Sequence, residues 1–177
     1  MMHDDIKKIS VSEEEIKEIV KRLGTSISKD FAGKKPIFVG LLKGCIPFMS
    51  DLLKYVDIEC TMAYMKASSY DGMQSTGLVK VEGAIPDVSG KEVIIIDDIL
   101  DSGRTISNVK KMFLDNGAKN VTVCVLLDKP EGRVVDVSAD YVGGLVPNEF
   151  VVGYGLDYNE YYRNLPYIGV LKEEVYK

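Results

Sequence analysis

A single histidine, His3, lies near one end of 177 residues, and that scarcity removes much of the familiar nucleophilic chemistry. Without an internal imidazole neither a Ser-His-Asp nor a Cys-His arrangement can be assembled. The three cysteines, Cys45, Cys60 and Cys124, are odd in number and scattered, with no CxxC. That excludes a disulfide framework and a zinc site, and reads as small buried apolar residues in a reducing, cytoplasmic setting. No apolar run approaches the ~20 residues of a membrane span, and MMHDDIKKIS lacks the basic-then-apolar pattern of a secretory signal. Positive charge is also short: 22 Lys and Arg against 27 Asp and Glu leave a net charge of −5 and no basic arm. This balance argues against nucleic acid as a partner, and a polyanionic substrate would need locally gathered cations or a divalent metal. Neither GxxxxGK[ST] nor GxGxxG occurs.

What is present is ordinary globular material, 46% apolar and 28% charged, of a length that suits one domain. Ser12 with Glu15 reads as a capping box opening a helix to about Phe31, its apolar face Ile16, Val20, Leu23, Ile27 and Phe31 continuing across Gly24. IFVGLL (37–42) is an unbroken apolar run of strand length, the mark of a strand covered on both faces. Pro47 starts the next expected helix, with Phe48, Met49, Leu52, Leu53 and Val56 as its apolar face. Residues 57–65 alternate, placing Ile58, Cys60, Met62 and Tyr64 on one side of a strand. KASSYDGMQSTG (66–77) has no apolar period and reads as a long loop of the kind that carries function. A short strand is expected near Leu78–Val81, then a strand at 92–99, a helix at 105–116 stopped by Gly117, and strands at 121–127 and 141–146. The tail from Pro147 reads as irregular. Alternating strands and helices predict an α/β fold, a doubly wound, mostly parallel sheet with its ligands beyond the carboxyl ends of the strands.

The chemistry concentrates in VIIIDDILDSGRTI (93–106). A buried strand ends in the adjacent acids Asp97 and Asp98, a Ser/Gly turn follows, and a helix begins. Backbone N–H groups at such a helix start point outward and favour an anion. Gly103 permits close backbone approach, and Ser102 and Thr105 add hydroxyl donors beside Arg104. The paired acids suit ribose hydroxyls or a hard cation such as magnesium.

This stretch resembles the phosphoribosyl-pyrophosphate signature of the type I phosphoribosyltransferases: apolar strand, two acids, two apolar residues, then Asp-Ser/Thr-Gly-x-Thr. LLKG (41–44), LLDKPEGR (126–133) and, above all, PNEFVVGYGLDYNEYYRNLPYIG (147–169) resemble the hypoxanthine–guanine branch, so the likeness runs from about 37 to 169. It implies a Rossmann-like single domain over 1–177, with a core at about 12–146. A small hood would be formed by the tail, about 147–177, with the N-terminus. The implied reaction is purine salvage: the 5-phosphoribosyl group passes from phosphoribosyl pyrophosphate to hypoxanthine or guanine, giving IMP or GMP and pyrophosphate.

The resemblance also implies roles. Asp101 is the general base near purine N7. Asp97 and Asp98 hold the ribose hydroxyls and, with Asp157, bind Mg2+. Ser102, Gly103, Arg104 and Thr105 enclose the 5′-phosphate, Arg104 through its backbone. Lys129 meets the purine 6-oxo group, which favours 6-oxopurines because an ammonium can donate to an oxo group but cannot accept from an amine. Phe150 stacks on the base, and Val151 offers it backbone groups. Lys43 and Arg163 contact pyrophosphate, Gly44 also binds substrate, and the peptide between Leu42 and Lys43 is cis. Ser68, Ser69 and Tyr70 belong to a closing lid. The family commonly forms homodimers or homotetramers. Preference among hypoxanthine, guanine and xanthine turns on small differences around Lys129, Phe150, Val151 and Asp157. A regulator that senses phosphoribosyl pyrophosphate and binds nucleic acid is the alternative from another class, against which the acidic balance speaks.

Overall fold

Four β-branched residues in succession, Val93–Ile96, leave a strand few options but to be covered on both faces, and all four are fully buried. The computed structural model describes residues 1–69 and 79–177, and it places their strand, β5 (Glu92–Leu100), at the centre of a six-stranded sheet. The others are β2 (Ile37–Leu41), β3 (Thr61–Ser69), β4 (Val79–Glu82), β6 (Asn120–Asp128) and β7 (Tyr141–Leu145), in the order β4-β3-β2-β5-β6-β7. Every neighbouring pair is parallel except β3 and β4.

Alternate side chains of β5 face opposite layers, as the period of two requires. Ile94 and Ile96 join Phe38, Cys124 and Leu126 against α1 (Glu13–Asp30) and α2 (Cys45–Leu53). Val93 and Ile95 join Val39, Val123 and Val125 against Ile106, Val109 and Phe113 of α3 (Arg104–Asp115). Each such side chain contributes about 1.5–3 kcal/mol by leaving water. The result is the doubly wound α/β layer structure that the alternation implies.

Local rules set the ends of the helices. Ser12 Oγ accepts from Glu15 N at 3.2 Å while Ser12 N donates to Glu15 Oε2 at 2.7 Å, a reciprocal capping box. Gly24 does not break α1, because a side chain there would collide with Tyr55; the helix needs that close approach. Helix α2 starts at Cys45, ahead of Pro47, which the first turn tolerates because proline lacks an N–H and a donor at that position would have no intrahelical partner. Helix α3 closes with Gly117 at φ 84, Ala118 N donating to Phe113 O and Gly117 N to Leu114 O.

Several expectations need correction. Residues 57–60 are not strand; β3 starts at Thr61 and continues to Ser69, through the first part of the expected loop. Lys66–Ser69 form a ladder with β4, and Lys66 Nζ reaches Glu82 Oε2 at 2.6 Å across it, so a non-local partner supplies what the polar sequence does not advertise. Tyr70, the rest of the expected loop and Leu78 lie outside the described residues. The side of β3 bearing Met62 and Tyr64 is exposed, whereas Met65 on the other side is buried. Cys45 and Cys124 are buried, but Cys60 is exposed. The ends of the chain also hold strands that the sequence did not advertise. β1 (Ile6–Val11) pairs with β9 (Ile168–Leu171), which pairs with β8 (Val151–Val152), in a separate antiparallel sheet. β1 is interrupted by register shifts and β8 has two residues, so neither displays a readable period. The chain ends in a single helical turn, α4 (Glu173–Tyr176).

Candidate active site

The chain passes from β2 to β3 on one side of β2, and later adds β5 on the other. This reversal opens a crevice beyond the carboxyl ends of β2 and β5, where open α/β sheets bind ligands. The turn after β2 carries Lys43 and Gly44, and the Leu42–Lys43 peptide is cis. Gly44 lies so close to the Asp98 carboxylate that no Cβ fits between them.

Asp97 and Asp98 terminate the buried part of β5. Asp98 N donates to Asp97 Oδ1 at 3.0 Å and Ile99 N to Asp98 Oδ1 at 2.8 Å. Burial, and then the charge of Asp98, pushes the Asp97 carboxyl well above the usual carboxylate range. Burial raises Asp98 as well, against the opposing pull of its hydrogen bonds and the Arg163 charge. Two half-buried, mutually repelling acids of this kind gain from a hard cation, which removes the repulsion. Among the described residues no group of three or more metal-ligating side chains converges, so an ion here would complete its shell from ligand oxygens and water.

Beyond Leu100 the chain turns through Asp101, Ser102 and Gly103. Gly103 has φ 80, a left-handed conformation that glycine adopts freely, and its missing side chain leaves room for Val137. Arg104 N approaches Ser102 Oγ at 3.4 Å as α3 begins. A cavity of about 130 Å³ lies here, lined by Asp97, Leu100, Asp101, Ser102, Gly103 and Thr105 among others.

A second cavity, of about 120 Å³, opens on the other side of Asp101 and is lined by Ile99, Asp101, Lys129, Glu149, Phe150, Val151 and Leu156. Lys129 follows β6, its backbone N donates to Leu100 O at 3.0 Å, and its Nζ lies 3.5 Å from Asp101 Oδ2. Phe150 is 37% exposed; its ring stacks on Tyr176 at 4.9 Å and meets the edge of Tyr158 at 5.7 Å. Val151 is buried in β8. A roomier cavity of about 290 Å³ lies against α1, α2, Tyr154 and Pro166, away from the paired acids, so its size says little about the chemistry.

Residues of the tail meet the turn after β2. Gly155, at φ 102, packs directly on Gly44 O. Arg163 Nη1 donates to Gly155 O at 2.6 Å and lies 3.0 Å from Asp157 Oδ1. Arg163 Nη2 donates to Glu160 Oε1 at 3.1 Å, and Lys43 Nζ to Glu160 Oε2 at 2.6 Å. Apart from the three residues expected in the lid, those singled out from the sequence thus gather at one crevice. Ser68 and Ser69 sit at the end of β3, and Tyr70 lies outside the described residues.

Sequence reasoning missed three residues here. Arg133 donates to Asp101 O at 2.8 Å, to Leu100 O at 3.2 Å and to Val137 O at 3.1 Å, and pairs with Asp128, tying the ends of β5 and β6 together. Gly132 leaves the space that the Asp101 carboxylate fills. Both lie in the LLDKPEGR stretch, so their nearness to Lys129 was the available signal. Glu160 lies in the 147–169 stretch, which was the available signal, although an acid in a tyrosine-rich tail by itself reads as solvated surface.

Comparison with known proteins agrees with this geometry. A model of the phosphoribosyl transferase domain matches residues 11–159. The hypoxanthine-guanine phosphoribosyltransferase of Streptococcus pneumoniae is 53% identical over 99% of both chains, and that of Streptococcus thermophilus 51% identical over 99% of both. A hypoxanthine phosphoribosyltransferase from Staphylococcus aureus superposes with a TM-score of 0.95 at 46% identity, covering 99% of this chain and 97% of that one. Full-length kinship of this closeness, together with a crevice built at the same motifs, means that the chain belongs to the phosphoribosyltransferase family, in its hypoxanthine–guanine branch.

Proposed function

We propose that the chain transfers the 5-phosphoribosyl group of phosphoribosyl pyrophosphate to hypoxanthine or guanine, giving IMP or GMP and releasing pyrophosphate. The observation that carries this reading is the position of Asp101, which with Ile99 lines both the cavity at the start of α3 and the cavity beside Lys129 and Phe150. A phosphorylated sugar in the first and a purine in the second would meet at that carboxylate.

In this reading the backbone N–H groups and hydroxyls of Ser102, Gly103, Arg104 and Thr105 hold the 5′-phosphate, with the N-terminus of α3 favouring the anion. Asp97 and Asp98 orient the ribose hydroxyls. Lys129 donates to the 6-oxo group, and Phe150, with one face against Tyr176, offers the other to the base. Asp101 accepts the proton leaving the purine, a contribution of typically 10²–10⁴-fold. Lys43 and Arg163 bind the departing pyrophosphate, charge-assisted contacts that strengthen as its negative charge develops. Mg2+ bound through Asp97, Asp98 and Asp157 would neutralise phosphate charge. Closing residues at Ser68–Tyr70 would exclude water from the activated sugar.

No helix among the described residues is long and apolar enough to cross a membrane. On the strength of the family alone, we place the enzyme in the cytoplasm as a homodimer or homotetramer. Pyrophosphate release is the test, measured with phosphoribosyl pyrophosphate and magnesium against hypoxanthine, guanine, xanthine and adenine in turn. Turnover with hypoxanthine or guanine but not adenine is expected, and Lys129→Gln should weaken use of both. Turnover with adenine alone would overturn the role of Lys129, and turnover with no base would overturn the reaction.

A further inference from the structure

The tail folds back at Asn159 and Glu160. Tyr158 and Tyr161 pair across the turn, N to O at 3.2 and 3.0 Å, and the two intervening residues have φ 50 and 70. A two-residue turn with positive φ at both central positions favours Asn at the first and Gly at the second. Asn159 fits. Glu160 does not, since a side chain at φ 70 carries backbone strain that glycine would avoid. Strain of this kind persists when something else over-determines the position, and here the side chain is what distinguishes Glu160 from glycine.

That side chain spans two cations from distant parts of the sequence. Oε2 accepts from Lys43 Nζ at 2.6 Å and Oε1 from Arg163 Nη2 at 3.1 Å. Lys43 and Arg163 are the cations assigned above to pyrophosphate, so the carboxylate sits between the groups that would take phosphate oxygens. A second observation points the same way. Arg163 Nε is buried with no hydrogen-bond partner among the described residues, although the rest of the guanidinium is well engaged. A guanidinium that leaves one donor unused has a better pose available once an anion with several oxygens arrives.

We infer that Glu160 is a resident counter-ion of the pyrophosphate subsite: its carboxylate neutralises Lys43 and Arg163 while the site is empty and must be displaced by the phosphates of the ligand. This rests on the proposed role of Lys43 and Arg163. The competition keeps two cations from repelling each other before the substrate arrives. It also weakens the hold on pyrophosphate after reaction, which favours product release. An exposed ion pair is a weak competitor, so the effect is a tuning of affinity and not an absolute block.

The test is calorimetric titration of inorganic pyrophosphate with magnesium into the full chain and into Glu160→Gln, Glu160→Gly and Arg163→Ala. Both Glu160 variants are expected to bind pyrophosphate about three- to tenfold more tightly, the range that loss of two weak ion pairs allows. KM for phosphoribosyl pyrophosphate should fall in step, with no rise in kcat. Glu160→Gly should in addition raise Tm, because glycine relieves the turn, which guards against an unfolded variant being misread. Arg163→Ala should weaken binding. Unchanged or weaker binding in both Glu160 variants, with Arg163→Ala still weakened, would overturn the counter-ion role and leave the subsite standing. Undiminished binding in Arg163→Ala would overturn the subsite, and the counter-ion with it.

Discussion

The Gly132→Ala substitution separates position from stability at Asp101. A Cβ built on Gly132 falls 1.7 Å from Asp101 Oδ1 and 2.9 Å from its Cγ, whereas ordinary contact begins at 3.4 Å. The neighbour in the way is the free end of a side chain that is 49% exposed, so it swings toward solvent instead of straining the backbone. The change in folding free energy should stay within about 0.5 kcal/mol, which at 2–4 °C per kcal/mol for a chain of this size amounts to roughly 2 °C or less in Tm. Catalysis is less forgiving. A carboxylate pushed aside by more than 1 Å no longer lies between the two cavities, and misplacement of that order costs about 100-fold. Pyrophosphate release with hypoxanthine, measured beside thermal unfolding and binding of phosphoribosyl pyrophosphate, is the assay. The expected result is a loss of roughly 10- to 100-fold in kcat with Tm and sugar-phosphate affinity nearly unchanged. Full turnover would refute the reasoning, since it would mean that the geometry around Asp101 does not govern the reaction.

Two further expectations follow from the same geometry. Asp101→Asn should lower kcat by about 10²–10⁴-fold while leaving phosphoribosyl pyrophosphate binding intact, because an amide cannot take the proton; equal turnover in a steady-state assay would remove the assignment. Asp51 is pushed upward by burial but held below its ordinary range by the stronger combined effect of Lys54 and Tyr154, whose hydroxyl lies 2.6 Å away. A carboxyl with a lowered folded-state pKa contributes stability fully above its ordinary value of 3.8 and loses it as pH falls through the lower folded value. The acid limb of a Tm-against-pH curve should therefore be shallower in Asp51→Asn than in the parent chain, and superimposable limbs would show that the pairing contributes nothing.

Much of the candidate site can be picked out from the sequence because its signals are local. Val93–Ile96 running into Asp97 and Asp98, then a Ser/Gly turn and a helix, states in consecutive residues that a buried strand ends in acids beside an anion-binding helix start. Lys129 and Phe150 were legible for a different reason: each stands in a stretch that resembles a family, and neither residue type alone implies a ligand. The misplaced elements are those whose partners lie far away in sequence. Lys66–Ser69 read as loop because their strand character comes from β4, and Ile6–Val11 read as nothing in particular because its partner is Ile168–Leu171. Polar or interrupted strands hide because alternation is the only trace a strand leaves in its own residues.

The sequence by itself thus determined the layer order of the fold and the acid-turn-helix motif, since hydrophobic period, turn residues and motif spacing are properties of neighbours along the chain, while the class of chemistry came from the resemblance of several stretches to a family. Tertiary structure decided the rest. It seated Gly155 on Gly44, fitted Asp101 into the space left by Gly132, anchored the ends of β5 and β6 through Arg133, and set Glu160 between Lys43 and Arg163. These are contacts between segments that only folding brings within a few ångströms. Hydrogen bonds and steric exclusion act at that range, so no pattern along the chain can encode them locally.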